Sequence, residues 1–368
     1  MNRLFEESSI NTMPLKNRFV RAATWEGLAT AKGEATPELI AMMASLAKGG
    51  VGLIVTSHAY VSQEGQGTPW QLGVYDDKLI AKLEAMASAV HQHNGRIIMQ
   101  LAHAGLYAEV EITGQPALAL SDLDGFPQEN VRTITSGDIQ RLVASFAQAA
   151  KRAKVAGFDG IEIHSGHGYL LSQFLSPACN KRQDEYGGAI ENRARIHLRM
   201  YKAIREVVGP DYPLLIKMNC ADFIDNGLTR EDSLQAARLF AAAGFDAIEV
   251  SGGIIRTGRL SPSRPGITTE DQEAYFKEYA EDFKRNIQTP LILVGGLRSF
   301  TVADRIVAER IADYIAMSRP FIREPDLINR WKNGDLGKAE CTSDNLCFNP
   351  GFKGHGVYCV TKERENSH

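Results

Sequence analysis

The chain has 368 residues, 44% hydrophobic and 23% charged, which is enough apolar surface for a sizeable buried core. A formal net charge of −3 gives no reason to expect a nucleic-acid partner or an anionic membrane surface. No run approaches the roughly 18 apolar residues of a membrane span, and the opening Met1-Asn-Arg-Leu-Phe-Glu-Glu7 does not read as a signal peptide, so a cytoplasmic protein is expected.

In chain order, residues 1–16 precede the first strand and are expected to cap the bottom of the fold. Eight short β-branched or aliphatic runs follow: Phe19–Thr24, Val51–Ser57, Arg96–Leu101, Phe158–His164, Pro213–Asn219, Phe245–Ser251, Pro290–Gly295 and Asp313–Ser318. Most are nearly continuous in hydrophobicity, as parallel strands covered on both faces should be. Ala-rich amphipathic stretches such as Leu142–Ala156 and Asp232–Ala243 lie between them. Eight such units predict a closed (β/α)8 TIM barrel over residues 1–330, with residues 331–368 as a C-terminal extension. Two connections are long, 104–135 after the third strand and 252–275 after the sixth. Loops that follow strands lie on the catalytic face of a barrel, so both are expected to border a substrate.

Ala156-Gly-Phe-Asp-Gly-Ile-Glu-Ile163 echoes Ala243-Gly-Phe-Asp-Ala-Ile-Glu-Val250. Internal duplication explains this, and so does the shared chemistry of helix-to-strand turns, in which Gly closes the helix.

In a barrel the residues that end the strands converge on one mouth. They are Thr24, Trp25 and Glu26; Ser57 and His58; Gln100 and His103; His164, His167 and Tyr169; Lys217 and Asn219; Gly252 and Gly253; Gly295 and Gly296; Ser318 and Arg319. Glycines after strand 7 and Ser318-Arg319 after strand 8 suit a phosphate, because bare N–H groups approach the anion and arginine adds a charged fork. Gln100 and Lys217 suit the pyrimidine edge of a flavin, which needs an amide and a positive charge. A simpler reading of Lys217 is a barrel-mouth lysine paired with Asp222 or Glu249.

The stretch 158–177 places His164, His167 and Tyr169 at the end of an apolar strand. An i,i+3 histidine pair can serve a metal, but no carboxylate or third histidine completes a ligand set. Two neutral imidazoles can instead grip a carbonyl or anionic oxygen, and Tyr169 can deliver a proton to the adjacent carbon. Alternatively, Tyr169 only packs.

With these residues in place the sequence resembles the old yellow enzyme family of FMN-dependent ene-reductases. The resemblance rests on Leu15–Val20, Met99–Gly105, His164–Pro177, Asn180–Gly188 with Glu191–Arg193, and Arg319-Pro with Glu324–Asp326. It implies a barrel with non-covalent FMN and NAD(P)H as reductant. Thr24, Trp25, His58, Gln100, His164, Lys217, Gly253, Gly295, Gly296, Ser318 and Arg319 are the candidate cofactor contacts, with Lys217 where the family commonly has arginine. The implied cycle is ping-pong. Hydride passes from NAD(P)H through the flavin to Cβ of an α,β-unsaturated carbonyl, His164 and His167 hold the carbonyl oxygen, and Tyr169 protonates Cα. The implied partner is a small enone- or enal-type molecule, with a homo-oligomer left open. A phosphate-handling isomerase or lyase and an electron carrier built on the extension are the competing readings.

Two departures stand out. Trp25 occupies a position where relatives carry a small Cys or Thr, and the role of the adjacent Glu26 is open. At the C-terminus, Cys341, Asp344, Cys347 and Cys359 resemble the iron–sulfur motif of 2,4-dienoyl-CoA-reductase-type relatives, with aspartate in the second place. An iron–sulfur cluster, zinc and a degenerate remnant are the three readings. The second, nucleotide-binding half of those relatives has no counterpart in these 368 residues.

Overall fold

The computed structural model describes residues 3–121, 130–255 and 257–366. Eight parallel strands close into a barrel in chain order: β1 (Phe19–Arg21), β2 (Leu53–Tyr60), β3 (Arg96–Ala102), β4 (Gly160–Ser165), β5 (Leu214–Asn219), β6 (Ala247–Ser251), β7 (Leu291–Leu293) and β8 (Tyr314–Met317). Each strand is followed by helix, the larger ones being Pro37–Lys48, Ile80–His91, Ser136–Val155, Arg195–Val208, Arg230–Ala243, Lys277–Asn286 and Phe300–Ala308. The expected (β/α)8 TIM barrel is the fold. Its strands are shorter than their apolar runs at several ends, because the residues near the mouth leave the ladder to build the site.

The helices start and stop where side chains satisfy their free amides. Thr36 and Thr229 accept from Leu39 and Asp232 backbone N–H groups, and Thr135 with Asp138 forms a reciprocal capping box. The echo between 156–163 and 243–250 acquires a physical content here. Gly157 and Gly244 both take left-handed backbone, φ +82° and +101°, to turn helix into strand. The aspartate two residues later reaches across to an amide at the start of the neighbouring strand. Asp159 accepts from Ile97 N at 2.8 Å and Asp246 from Leu214 N at 2.8 Å. Asp313 does the same for Leu291 N at 2.8 Å, outside the echo. The device therefore recurs at the bottom of this barrel outside the echoed segments and does not require duplication.

The bottom of the barrel is plugged by the antiparallel hairpin Ser8–Ile10 and Met13–Leu15. Its buried Ile10, Met13 and Leu15 meet the inward side chains Val20, Val55, Ile98, Leu215, Ala247, Ile292 and Ala316. This apolar layer is the cap expected for residues 1–16. A larger apolar cluster lies between strands and helices, and Trp331, packed on Phe19 and Phe300, is among its fully buried members. No helix among the described residues is long and apolar enough to cross a membrane.

Candidate active site

Above the apolar plug the barrel opens into a cavity of about 390 Å³, within the range of small-molecule sites. Of the residues singled out in the sequence, Thr24, Trp25, His58, His164, His167, Tyr169, Lys217, Gly296, Ser318 and Arg319 line it. Gln100, Gly253 and Gly295 do not. Gln100 lies one layer below, where its Nε2 donates to Glu162 Oε2 at 2.6 Å. Gly253 gives its N–H to Ala221 O at 2.9 Å, and the Gly295 carbonyl accepts from Tyr275 N at 3.2 Å.

The aromatic wall is built from β2 and the segment after β4. A register shift between Val55 and His58 aims His58 inward. Its Nε2 lies 3.1 Å from the Tyr169 hydroxyl. His164 stands edge-on to both His167 and Tyr169, with ring centroids 5.1 Å apart in each pair. His167 sits in left-handed backbone (φ +62°), held by its N–H to Asn219 Oδ1 at 3.0 Å, with Nε2 2.8 Å from Ser251 Oγ. His164 Nδ1 is buried with no protein partner, which leaves it for a ligand.

Burial and nearby positive charge keep these imidazoles neutral. His58 is pushed down to about 4, by burial first and then by Lys217. His164 falls well below its ordinary value through burial, then His167, His58 and Lys217. Burial, Lys217 and His58 do the same to His167. Tyr169 moves the other way, above the ordinary tyrosine value, because of burial and then Glu109 and Tyr107. The wall therefore holds a phenol that keeps its proton and imidazoles that can donate without carrying charge.

Lys217 combines both readings offered by the sequence, since it lines the cavity while Nζ donates to Glu249 Oε1 at 2.7 Å. Asp222 instead receives Leu228 N and Asn219 Nδ2. Glu26 turns away from the cavity into a buried ion pair with Arg21 at 2.5 Å. On the other side, Gly296 has φ +72°, and a Cβ there would stand 2.8 Å from the Tyr275 ring, so only glycine leaves this backbone open. The Ser318 hydroxyl lies 2.7 Å from Thr24 Oγ1, and Arg319 Nη1 donates to the neutral amide oxygen of Asn345 at 2.7 Å. A bare backbone turn, a hydroxyl and a guanidinium bonded to a neutral amide fit a phosphate group, and the Lys217 side fits an electron-rich ring edge. This donor set is compatible with the phosphate and ring edge of FMN.

The sequence reading did not anticipate the contribution of the extension. Ser343, Asn345, Phe348 and Phe352 line the cavity, and Trp25 packs on Phe352 with centroids 4.7 Å apart. Val357 N donates to Glu26 O and Gly266 N to Ser343 O, which ties the segment to both the β1 and β6 loops. Trp25 finds its room because Gly27 and Gly351 lie against its ring. Among the described residues no three His, Cys, Asp or Glu side chains are grouped to hold a metal. Asp344 is occupied by Thr342, Thr361 and Leu346 N, and Cys359 accepts from Lys362 N. Neither zinc nor an iron–sulfur cluster gains support.

Residues 3–336 match the NADH:flavin oxidoreductase / NADH oxidase family. A curated NADH oxidase of Thermoanaerobacter brockii is 35% identical over 349 residues, covering 93% of this chain and 53% of that protein. An NADPH dehydrogenase of Listeria welshimeri is 33% identical, covering 88% and 93%. The old yellow enzyme homologue from Zymomonas mobilis superposes with a TM-score of 0.78 at 26% identity over 97% of this chain and 99% of that one. A 2-naphthoyl-CoA reductase complex superposes with a TM-score of 0.89 at 27% identity, covering 97% and 56%. The chain thus spans about half the length of several proteins it matches, the Thermoanaerobacter oxidase among them. It belongs to the NADH:flavin oxidoreductase / NADH oxidase family, the old yellow enzyme family to which its strand-4 signature pointed.

Proposed function

We propose that the barrel binds FMN and, with NADH or NADPH as reductant, reduces a carbon–carbon double bond conjugated to a carbonyl. The observation that carries this reading is the convergence of His164, His167, Tyr169 and His58 on one wall of the same cavity that Lys217, Gly296, Ser318 and Arg319 line. Lys217, with Gln100 beneath it, would hold the pyrimidine edge. Gly296, Ser318 and Arg319 would hold the phosphate, with Gly253 and Gly295 shaping the flanking turns. Thr24, Trp25 and His58 would border the ring. What FMN supplies when bound is two-electron transfer from a nicotinamide to an activated double bond.

The rest is done by the chain itself. Neutral His164 and His167 donate to the substrate's carbonyl oxygen and stabilise the negative charge that develops there. Tyr169 gives its proton to Cα. Burial raises its pKa above the ordinary tyrosine value, so the phenol keeps its proton at neutral pH, and His58 Nε2 lies close enough to bond the oxygen that has lost its proton. Trp25, Phe348 and Phe352 close the opposite approach with apolar surface that excludes water.

The test is direct. Protein reconstituted with FMN should show flavin absorbance that NADH or NADPH bleaches anaerobically and that 2-cyclohexenone restores. Protein that does not retain FMN, or reduced flavin that no enone reoxidises, overturns the proposal.

A further inference from the structure

One side chain of the C-terminal extension reaches the arginine of the cavity. Arg319 is 7% exposed, and among the described residues no carboxylate pairs with it. Its Nη1 donates instead to Asn345 Oδ1 at 2.7 Å. Asn345 also holds the loop after β6. Its Nδ2 donates to Ser263 O at 2.8 Å, and its Oδ1 accepts from Ser263 Oγ at 3.0 Å. Ser263 and Asn345 both line the cavity with Arg319. One amide therefore joins three chain segments, the end of β8, the loop after β6 and the extension.

The residue just before it is an acid, Asp344, which the fold keeps off the arginine. Asp344 is exposed, and its carboxylate accepts from Thr342 Oγ1 at 2.8 Å, Thr361 Oγ1 at 2.7 Å and Leu346 N at 2.9 Å. Asn345 itself stands in left-handed backbone, φ +61°, which asparagine and aspartate tolerate better than most side chains. The backbone at 345 thus accepts either residue, and what asparagine supplies is a neutral acceptor. A neutral oxygen fixes the direction of a guanidinium without cancelling its charge. A carboxylate in its place would pair with Arg319 and leave no net charge for an anion.

We propose that Asn345 is a positioning residue for the cofactor's phosphate, which orients Arg319 at the cavity and pins Ser263 beside it, so that the extension as well as the barrel sets the affinity for a phosphorylated flavin. The inference rests on the reading that FMN occupies the cavity with its phosphate at Arg319. Asn345 acts through Arg319 and takes no part in hydride or proton transfer.

Asn345→Asp keeps the size and backbone preference of the residue and adds one negative charge. Apoprotein of this variant should bind FMN about ten-fold more weakly or worse than the parent. Riboflavin, the same ring system without the phosphate, should bind within about two-fold of the parent. At pH 7 the phosphorus resonance of FMN bound to the variant should move from its position in the parent toward that of free FMN. Asn345→Gly leaves left-handed backbone open and removes the amide without adding charge. It should weaken FMN by about three-fold or more and again spare riboflavin.

Equal weakening of FMN and riboflavin would make Asn345 a support of the loop alone and overturn the proposal. So would FMN affinity within about two-fold of the parent in Asn345→Gly, or an unmoved phosphorus resonance in Asn345→Asp. A parent protein that binds no FMN would instead remove the underlying functional reading, and this inference with it.

Discussion

Replacing Tyr169 by phenylalanine removes one oxygen and leaves the ring. The packing around it survives, because the contacts with His164 and Tyr107 are ring to ring, with centroids 5.1 and 6.3 Å apart. What is lost is the hydroxyl's contact with His58 Nε2 at 3.1 Å. His58 lines the cavity, so water can replace the lost partner. The stability cost should therefore sit at the low end for a hydrogen bond, about 0.5–1 kcal/mol. The catalytic cost should be larger. Loss of a general acid slows proton-coupled transfer by roughly 10²- to 10⁴-fold, or about 3–5 kcal/mol of barrier. It should fall on one half-reaction only, because reduction by the nicotinamide needs no proton from Tyr169. Anaerobic stopped-flow separates the two steps. Flavin reduction by NAD(P)H should stay within about two-fold of the parent, while reoxidation by the enone slows by the full amount. Equal losses in both steps would mean that Tyr169 only shapes the pocket, and the assignment of the acid would be wrong.

Other parts of the structure give further expectations. Glu26→Ala strands the Arg21 guanidinium in a site where the two side chains are 5% and 2% exposed. It should cost about 3 kcal/mol, the low end for a broken buried pair, because Arg21 keeps the Val55 carbonyl at 2.6 Å. A urea-unfolding loss under about 1 kcal/mol would contradict this. Gly296→Ala forces a Cβ to 2.8 Å from Tyr275 at φ +72°, so apoprotein titrated with FMN should bind about ten-fold more weakly or worse. Equal affinity would take Gly296 out of the phosphate cradle. His58, His103 and His197 are held down to about 4, 3 and 3, chiefly by burial, so all three protonate in the unfolded chain before they do in the fold. Folded values below unfolded ones mean stability is fully present above the unfolded value near 6.5 and is lost as pH falls toward 4. The limiting slope for three protons is about 4 kcal/mol per pH unit. Unfolding free energies that are flat from pH 7 to pH 5 would show that these rings are not neutral in the fold.

The barrel was legible because its strands are buried on both sides and therefore read as unbroken apolar runs. The mouth was legible for a related reason. Polar side chains at the ends of such runs have few places to be other than the rim, so Thr24, His58, His164, Lys217 and Arg319 could be grouped without coordinates. The sequence could not separate layers. Gln100 ends a strand as the others do, yet the barrel's stagger drops it below the floor onto Glu162. Glu26 follows Trp25 directly, but Arg21 draws it out of the cavity. The first contact leaves no trace in spacing, because Gln100 meets a partner chosen by strand register, and the second is set by how the chain turns between Arg21 and Glu26.

The extension was misjudged for a different reason. Its cysteines drew attention because thiols at such spacing suggest a metal, whereas its contribution to the site comes from Asn345, Phe348 and Phe352, which carry no motif. Phe352 is 61% exposed by itself, a value that in isolation argues for a surface residue of no account. Trp25 supplies the missing half of the argument. A tryptophan at the barrel mouth needs volume, and the fold provides it by setting Gly27 and Gly351 against the indole and Phe352 beside it. The odd residue after β1 and the chain segment after β8 are thus two sides of one wall. A change to either should reshape the approach to His164 and Tyr169 without touching the groups that donate hydrogen bonds or protons there.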